Sequence, residues 1–308
     1  MTSPVTFAIA TRDELRLRGR LAEQRLSHGI ARHDGDAIDA DDSRDDELVV
    51  RCDAEIDGLR AAAPIDARVR LVASARRVAN TTIVSATMTI GVDGLFVVSD
   101  ALHAAEDAAF LRSLVGQALL TVPIDYHELP IVWHRGSASV LLHEAAGHAA
   151  EHEHARLEWP SWLSVRDEPL FAIDDIGNRT RAADLLAGEA PSSLRRESFR
   201  DVPLRRMSNL VVRGNAPFEM PDRRIDIHLL AGGSYEPLDE TVTVHVAAAK
   251  LGERWLPPFT IHESRAAVAR AINGATGEPR RSPGVVCSAE GQELVVGSSA
   301  PAMLTWFR

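Results

Sequence analysis

Between Val140 and Ala155 the chain reads VLLHEAAGHAAEHEHA, a concentration of imidazoles and carboxylates. Histidine and glutamate at close spacing suit hydrolysis by metal-activated water, with imidazoles as ligands and a carboxylate as base. Two such patterns overlap here. One is His143-Glu144-x-x-x-His148. The other is His148-x-x-Glu151-His152, an inverted order with two ligands four apart and the base before the second. On a regular helix, positions four apart lie ~40° from each other and positions five apart ~140°. Regular geometry therefore favours the inverted pattern. The first pattern requires a local distortion such as a π-bulge, and Gly147 is the natural place for it. Periodicity leaves both open.

The elements around this segment must hold it in place. A short strand at Leu129–Trp133, a turn at Arg135-Gly136 and an N-cap at Ser137 predict a helix running through His143 to about Arg156. Upstream, Val69, Leu71 and Ala73 alternate with other residues, and Thr81–Ile90 (TTIVSATMTI) is β-branched with period two. Val92-Asp93-Gly94 then turns the chain into a second strand over Leu95–Val98. Ala104–Leu120 reads as an amphipathic helix. Residues 12–26 have loosely helical leucine spacing, and the acidic stretch His33–Asp46 reads as a solvated loop. It lacks the ligand order and closing Glu of a calcium loop. Downstream, strand-like runs fall at Leu210–Val212, Ile225–Leu230 and Thr241–Ala247, and a last pair at Val285–Cys287 and Leu294–Val296 flanks Gly291. The expected class is α+β with mixed or antiparallel sheets and a strand-rich C-terminal half. The expected division is an N-terminal α/β region over 1–128 and a metal-binding catalytic domain over 129–308.

Composition narrows the function. The chain has 308 residues, 44 acidic against 34 basic, and a formal charge of -10. That balance, without a basic tract interleaved with aromatics, disfavours direct nucleic-acid contact. No apolar run approaches the ~20 residues needed to span a bilayer, and the N-terminus does not read as a signal peptide. The expectation is a cytoplasmic protein that binds neither nucleic acid nor membrane. Two cysteines, Cys52 and Cys287, fit a reducing compartment and leave both thiols available. Cys52 has no chemical context and reads as structural.

The surroundings of the histidines add a resemblance. The run Gly136–Glu153 (GSASVLLHEAAGHAAEHE) resembles the metal-binding helix of the TldD/PmbA family of metallopeptidases, whose hallmark is HExxxH after an apolar stretch. Three further blocks resemble that family in order: Leu204–Val211 (LRRMSNLV), Ala231–Leu238 (AGGSYEPL) and Val285–Gly297 (VVCSAEGQELVVG). The last has Cys-Ser-Ala-Glu where Cys-Gly-Lys is usual, and the N-terminal half carries no recognisable block. The resemblance implies His143, His148 and Cys287 as ligands of Zn²⁺ and Glu144 as general base. It also implies Glu151 as a carboxylate orienting a ligand imidazole. Arg206 and Asn209 either contact peptide backbone or staple strands. Gly232 and Gly233 either let a bound peptide lie against a strand edge or form a tight turn. His152 and His154 read as the exposed end of the helix.

What the resemblance implies for activity is a zinc peptidase acting on short or unfolded peptides. The active unit would be a homodimer, or a heterodimer with a TldE/PmbA-like subunit that lacks the metal motif. Three other readings stand beside it. One is an amide hydrolase in a small-molecule or modified-peptide pathway. A second is a non-catalytic regulatory binding protein, echoing the family's older label as gyrase modulators. The third is an inverted zincin using His148, Glu151 and His152.

Overall fold

Arg18 and Gly19 both hold positive φ, 47° and 73°, and form a two-residue turn that pairs Leu17 with Arg20. This is the turn that matches the twist of antiparallel strands. Residues 12–26 are therefore not helical in the computed structural model; they lie in a hairpin of β1 (Val5–Leu17) and β2 (Arg20–Asp34). The structure describes residues 5–308 except 35–36, 42–43, 79–80, 94, 100, 118, 120–123, 153–155, 171, 199–200 and 290. The acidic stretch expected as a loop contributes β3 (Ala37–Asp41), an edge strand on β2. Asp45 caps α1 (Asp46–Ala62), accepting a hydrogen bond from Leu48 N.

The first sheet continues with β4 (Arg68–Val78), β5 (Thr81–Val92) and β6 (Leu95–Ser99), in the antiparallel order β3-β2-β1-β4-β5-β6. Helix α2 (Ala104–Leu114) follows, ending before the expected Leu120. Leu48, Cys52, Ile56 and Leu59 of α1 and Ala108 and Leu111 of α2 pack on Leu71, Met88 and Ile90 of the strands. Burying each leucine, isoleucine or methionine of this set contributes about 1.5–3 kcal/mol. Burial pushes the Cys52 thiol up to about 11, and its Sγ lies 3.2 Å from the Ala10 carbonyl. It is a structural thiol, inert at neutral pH.

The second sheet begins at β7 (Ile131–Trp133) and closes with the last strand of the chain. Between them run α3 (Ala138–Leu142), a π-helical turn (His143–His148) and α4 (Ala149–Glu151) as one continuous rod. Ser137 occupies the N-cap, but its hydroxyl makes no cap hydrogen bond. Then follow β8 (Leu163–Asp167), β9 (Ala183–Asp184), β10 (Leu194–Arg195), β11 (Leu204–Arg205), β12 (Asn209–Gly214), β13 (Ile225–Glu236), β14 (Thr241–Leu251), β15 (Arg254–Trp255) and β16 (Phe259–Ser264). Helix α5 (Arg265–Ala271), β17 (Ile272–Ala289) and β18 (Gln292–Thr305) complete it. The order is β15-β14-β13-β7-β18-β12-β8-β9, with β16 on β14 and β17 on β18. Among the described strand pairs β13·β7 and β12·β18 are parallel and the rest antiparallel, so this is a mixed sheet in an α+β fold.

Leu141, Leu142, Ala145 and Ala146 bury the rod in the core of this second sheet. The two sheets meet: Leu229 of β13 and Ala248 of β14 belong to the core beneath α1 and α2. A buried ion pair, Arg76 to Asp175 at 2.9 Å, joins β4 to the loop after β8. No helix among the described residues is long and apolar enough to cross a membrane.

Candidate metal centre

The rod solves the problem posed by the five-residue spacing. Over His143–His148 it winds as a π-helix, whose wider turn brings residues five apart onto one side. The His143 and His148 rings meet edge to face, centroids 4.8 Å apart. Gly147 allows another segment to press against this turn. A Cβ there would lie 2.0 Å from Met207 Sδ and 2.5 Å from Met207 Cε. Met207 sits between β11 and β12, fully buried, with its N–H donating to Glu151 Oε1 at 2.7 Å.

Cys287 arrives from β17, paired in register with Leu294 of β18. Its Sγ lies 3.3 Å from His148 Nε2, and one ligand atom each from His143, His148 and Cys287 falls within 4.8 Å of the others. Both ring nitrogens of His143 are buried without a hydrogen-bond partner. Burial, then the charges of His148 and Arg206, hold His143 far below the usual imidazole range, so it presents a neutral ring with its lone pair free. Burial opposes charge on His148, but hydrogen bonds with Cys287 and Glu151 outweigh it and push its pKa up to about 11. A neutral imidazole with orphaned nitrogens, a second imidazole held in an environment that favours cations, and a thiol fit a tetrahedral zinc shell with one open position.

The surrounding groups orient these donors. Glu151 Oε2 accepts from His148 Nδ1 at 2.7 Å, which aims His148 Nε2 at the cluster. Arg206, 2% exposed, donates to Cys287 Sγ at 3.0 Å and to the Cys287 carbonyl at 2.9 Å. Glu144 is buried beside them, with Oε2 3.6 Å from His148 Nε2 and no hydrogen-bond partner for that oxygen. Burial raises its pKa to about 7; His148 pulls it down and Glu151 pushes it up. Gly233 of β13 lies against this carboxylate, where a Cβ would come within 2.9 Å of Glu144 Cγ.

The remaining sequence-derived residues separate. Asn209 donates from its side chain to the Glu168 carbonyl at 3.1 Å and packs on Gly297, so it staples β12 to its neighbours. Gly232 carries φ of +136°, a conformation that favours glycine. His152 caps the rod, exposed, with its ring 6.3 Å from that of Tyr235; the geometry does not bring it to the ligand group. His154 lies outside the described residues. Sequence reasoning did not single out Met207, although it stands in the LRRMSNLV block.

No family model matches the chain, and no curated protein matches it by sequence. Solved structures do. TldE from Thermococcus kodakarensis aligns over 99% of this chain and 96% of its own, with 13% identity and a TM-score of 0.61. A candidate modulator of a DNA gyrase from Thermotoga maritima aligns over 98% and 95%, with 11% identity and a TM-score of 0.54. A similarly described protein from Bacteroides thetaiotaomicron aligns over 98% and 92%, with 11% identity and a TM-score of 0.51. The chain has the fold of these proteins, the TldD/PmbA fold. The alignments include the N-terminal sheet, for which the sequence offered no recognisable block.

Proposed function

We propose that this chain is a zinc-dependent metallopeptidase of the TldD/PmbA family that hydrolyses peptide bonds in short or unfolded peptides. The observation that carries the reading is the convergence of His143, His148 and Cys287 beside Glu144, whose Oε2 has no hydrogen-bond partner. His143 and His148 through ring nitrogens, and Cys287 through Sγ, would hold the metal. Zinc bound there would lower the pKa of water and polarise a carbonyl. Glu144 takes the proton of the attacking water and delivers it to the leaving amine, a role that suits a carboxylate poised near neutrality. Glu151 accepts from His148 Nδ1 and so turns Nε2 toward Cys287 and the ligand group.

The substrate would lie along β13. This strand pairs with β14 through Glu236, but with β7 only over Ile225–Ile227. Past Ile227 no described strand pairs with its other edge, where Gly233 lets Glu144 approach the strand and Gly232 leaves room for an extended backbone. Partnership follows the fold: a second copy of this chain, or a TldE-like subunit, would complete the enclosure. The acidic balance argues against a direct nucleic-acid partner, and the proposed location is the cytoplasm.

Metal content by mass spectrometry on wild type, Cys287→Ala, His152→Ala and Glu144→Gln tests this reading, alongside hydrolysis of unstructured peptides. The expected result is about one zinc per chain in wild type, His152→Ala and Glu144→Gln, none in Cys287→Ala, and hydrolysis lost in Glu144→Gln. Zinc kept without Cys287 but lost without His152 would sink the site and move the base to Glu151. Absence of metal in every sample after reconstitution would favour a binding protein. Zinc with hydrolysis of small amides but not peptides would favour the small-molecule amidase.

A further inference from the structure

Beside the metal centre the two sheets enclose a cavity of about 480 Å³. Its walls include Val98 of β6, Phe110 of α2, Val140 of α3, and His228, Leu230 and Gly232 of β13. Two of these join it to the centre. Val140 precedes Glu144 by one helical turn, and Gly232 precedes Gly233, the residue that lies against the Glu144 carboxylate. Register shifts between Ile227 and Gly232 turn consecutive residues of β13 toward the opening.

The charge inside this cavity is largely spent. Arg135 donates to Asp107 at 2.7 Å and to Glu106 at 3.2 Å, with its guanidinium 4.9 Å from the centre of the Phe110 ring. His228 stacks on His134 with centroids 5.0 Å apart and 9° between planes. Burial, then the charge of His134, brings the His228 pKa down to about 4, so it offers a neutral ring at pH 7. Phe110 stands 6.4 Å from it, and with Phe96 these rings give the cavity an aromatic wall; Trp255, 5.7 Å from His228, packs behind it. Arg280 is at the exposed rim.

From this juxtaposition we infer that the cavity is a specificity pocket, taking an apolar and preferentially aromatic side chain next to the peptide bond presented to Glu144. The inference deepens the peptidase reading and rests on it for the placement of the bond. A pocket of this size is within the range of small-molecule sites, and an aromatic wall rewards a flat ring over an aliphatic chain. Inside the cavity an ionised side chain would lose hydration where Arg135, Glu106 and Asp107 already pair with one another.

Two measurements on the full chain separate the pocket from the chemistry. In the first, calorimetry follows binding of N-acetyl-phenylalanine amide, N-acetyl-alanine amide and N-acetyl-aspartate amide. The phenylalanine compound should bind roughly tenfold or more tightly than the alanine one. That advantage should vanish in Val140→Trp, which fills the cavity, and shrink in Phe110→Ala, which removes part of the aromatic wall. Unchanged circular dichroism and metal content would show that both variants fold. In the second, peptides carrying Phe, Ala or Asp beside the cleaved bond are compared through kcat/KM, and the same order should appear. Cleavage without discrimination overturns the pocket and leaves the peptidase standing, as does a preference for Asp, which would hand selectivity to Arg280. Phenylalanine-amide binding lost in Val140→Trp, with no peptide cleaved, upholds the pocket and sinks the peptidase. Absence of any binding difference among the three amides overturns the pocket.

Discussion

Replacing Gly147 by alanine sets a methyl group where Met207 already lies. The added carbon would sit 2.0 Å from Met207 Sδ and 2.5 Å from Cε, against an ordinary contact of about 3.5–4.0 Å. Met207 cannot retreat as a unit, because Glu151 holds its N–H at 2.7 Å and Arg195 donates to its carbonyl at 3.0 Å. Its side chain is fully buried, so a new rotamer must displace core neighbours. Overpacking of this kind costs about 1–3 kcal/mol, and the better helix propensity of alanine returns about 1 kcal/mol. Because both contacts fall far inside the normal separation, the upper part of that range applies, for a net loss of about 1–2 kcal/mol. At about 2–4 °C per kcal/mol for domains of 150–250 residues, metal-free protein should melt some degrees lower. Chelator competition should also show weaker zinc binding, since His148 rides on the displaced turn. Combining the change with Met207→Ala should cost less than the two singles added, because the new methyl occupies part of the vacated space. Melting at or above wild type, or simple additivity in the pair, would refute the close approach as the reason for glycine here.

Glu151→Gln keeps the volume but removes the charge that orients His148, so zinc affinity by chelator competition should fall about 10–100-fold while His152→Ala leaves it unchanged. Equal affinity in Glu151→Gln and wild type would mean that His148 is positioned by packing alone. His228 has a folded pKa of about 4 against an unfolded value of about 6.5. The unfolded chain therefore binds more protons between these values, and the stability this ring contributes is present above about pH 6.5 and lost as pH falls toward 4. His228→Phe should flatten the acid limb of a plot of Tm against pH, and parallel limbs in the two proteins would count against a neutral buried ring.

The site was more legible in the sequence than the framework that carries it. The clash between five-residue spacing and α-helical geometry pointed to a distorted turn at Gly147, and the π-helix spans His143–His148. The β-branched run Thr81–Ile90 and the Asp93 turn read correctly because alternation and turn chemistry agreed. Residues 12–26 misled because their leucines fit a helical spacing, while the Arg18-Gly19 turn that decides the matter has an arginine at positive φ, where Asn or Asp is the usual signal. Glu14, 1% exposed in this hairpin, hides the inward face further; it bonds Gln24 at 3.0 Å and Arg60 at 2.7 Å, partners that only the tertiary structure supplies. Helix α1 was not anticipated, its apolar positions being interrupted by charge. Asn209 and Arg206 were even choices between substrate and scaffold, since a motif block does not say which way a polar side chain is satisfied. Here Asn209 ties strands, and Arg206 serves the thiol.

The sequence separation inside the candidate metal centre sets a timetable for its assembly. Cys287 meets His148 across 139 positions, and at about 5–20 residues per second on the ribosome the histidine pair precedes its thiol by roughly 7–28 s. During that interval the histidine pair stands without Cys287, the third member of its group. Cys287 also reaches the histidines only when β17 and β18 join a sheet whose other strands begin at Ile131, a pairing of distant segments that forms slowly. Completion of the three-residue group is thus a property of the finished sheet, not of the rod that carries its two histidines.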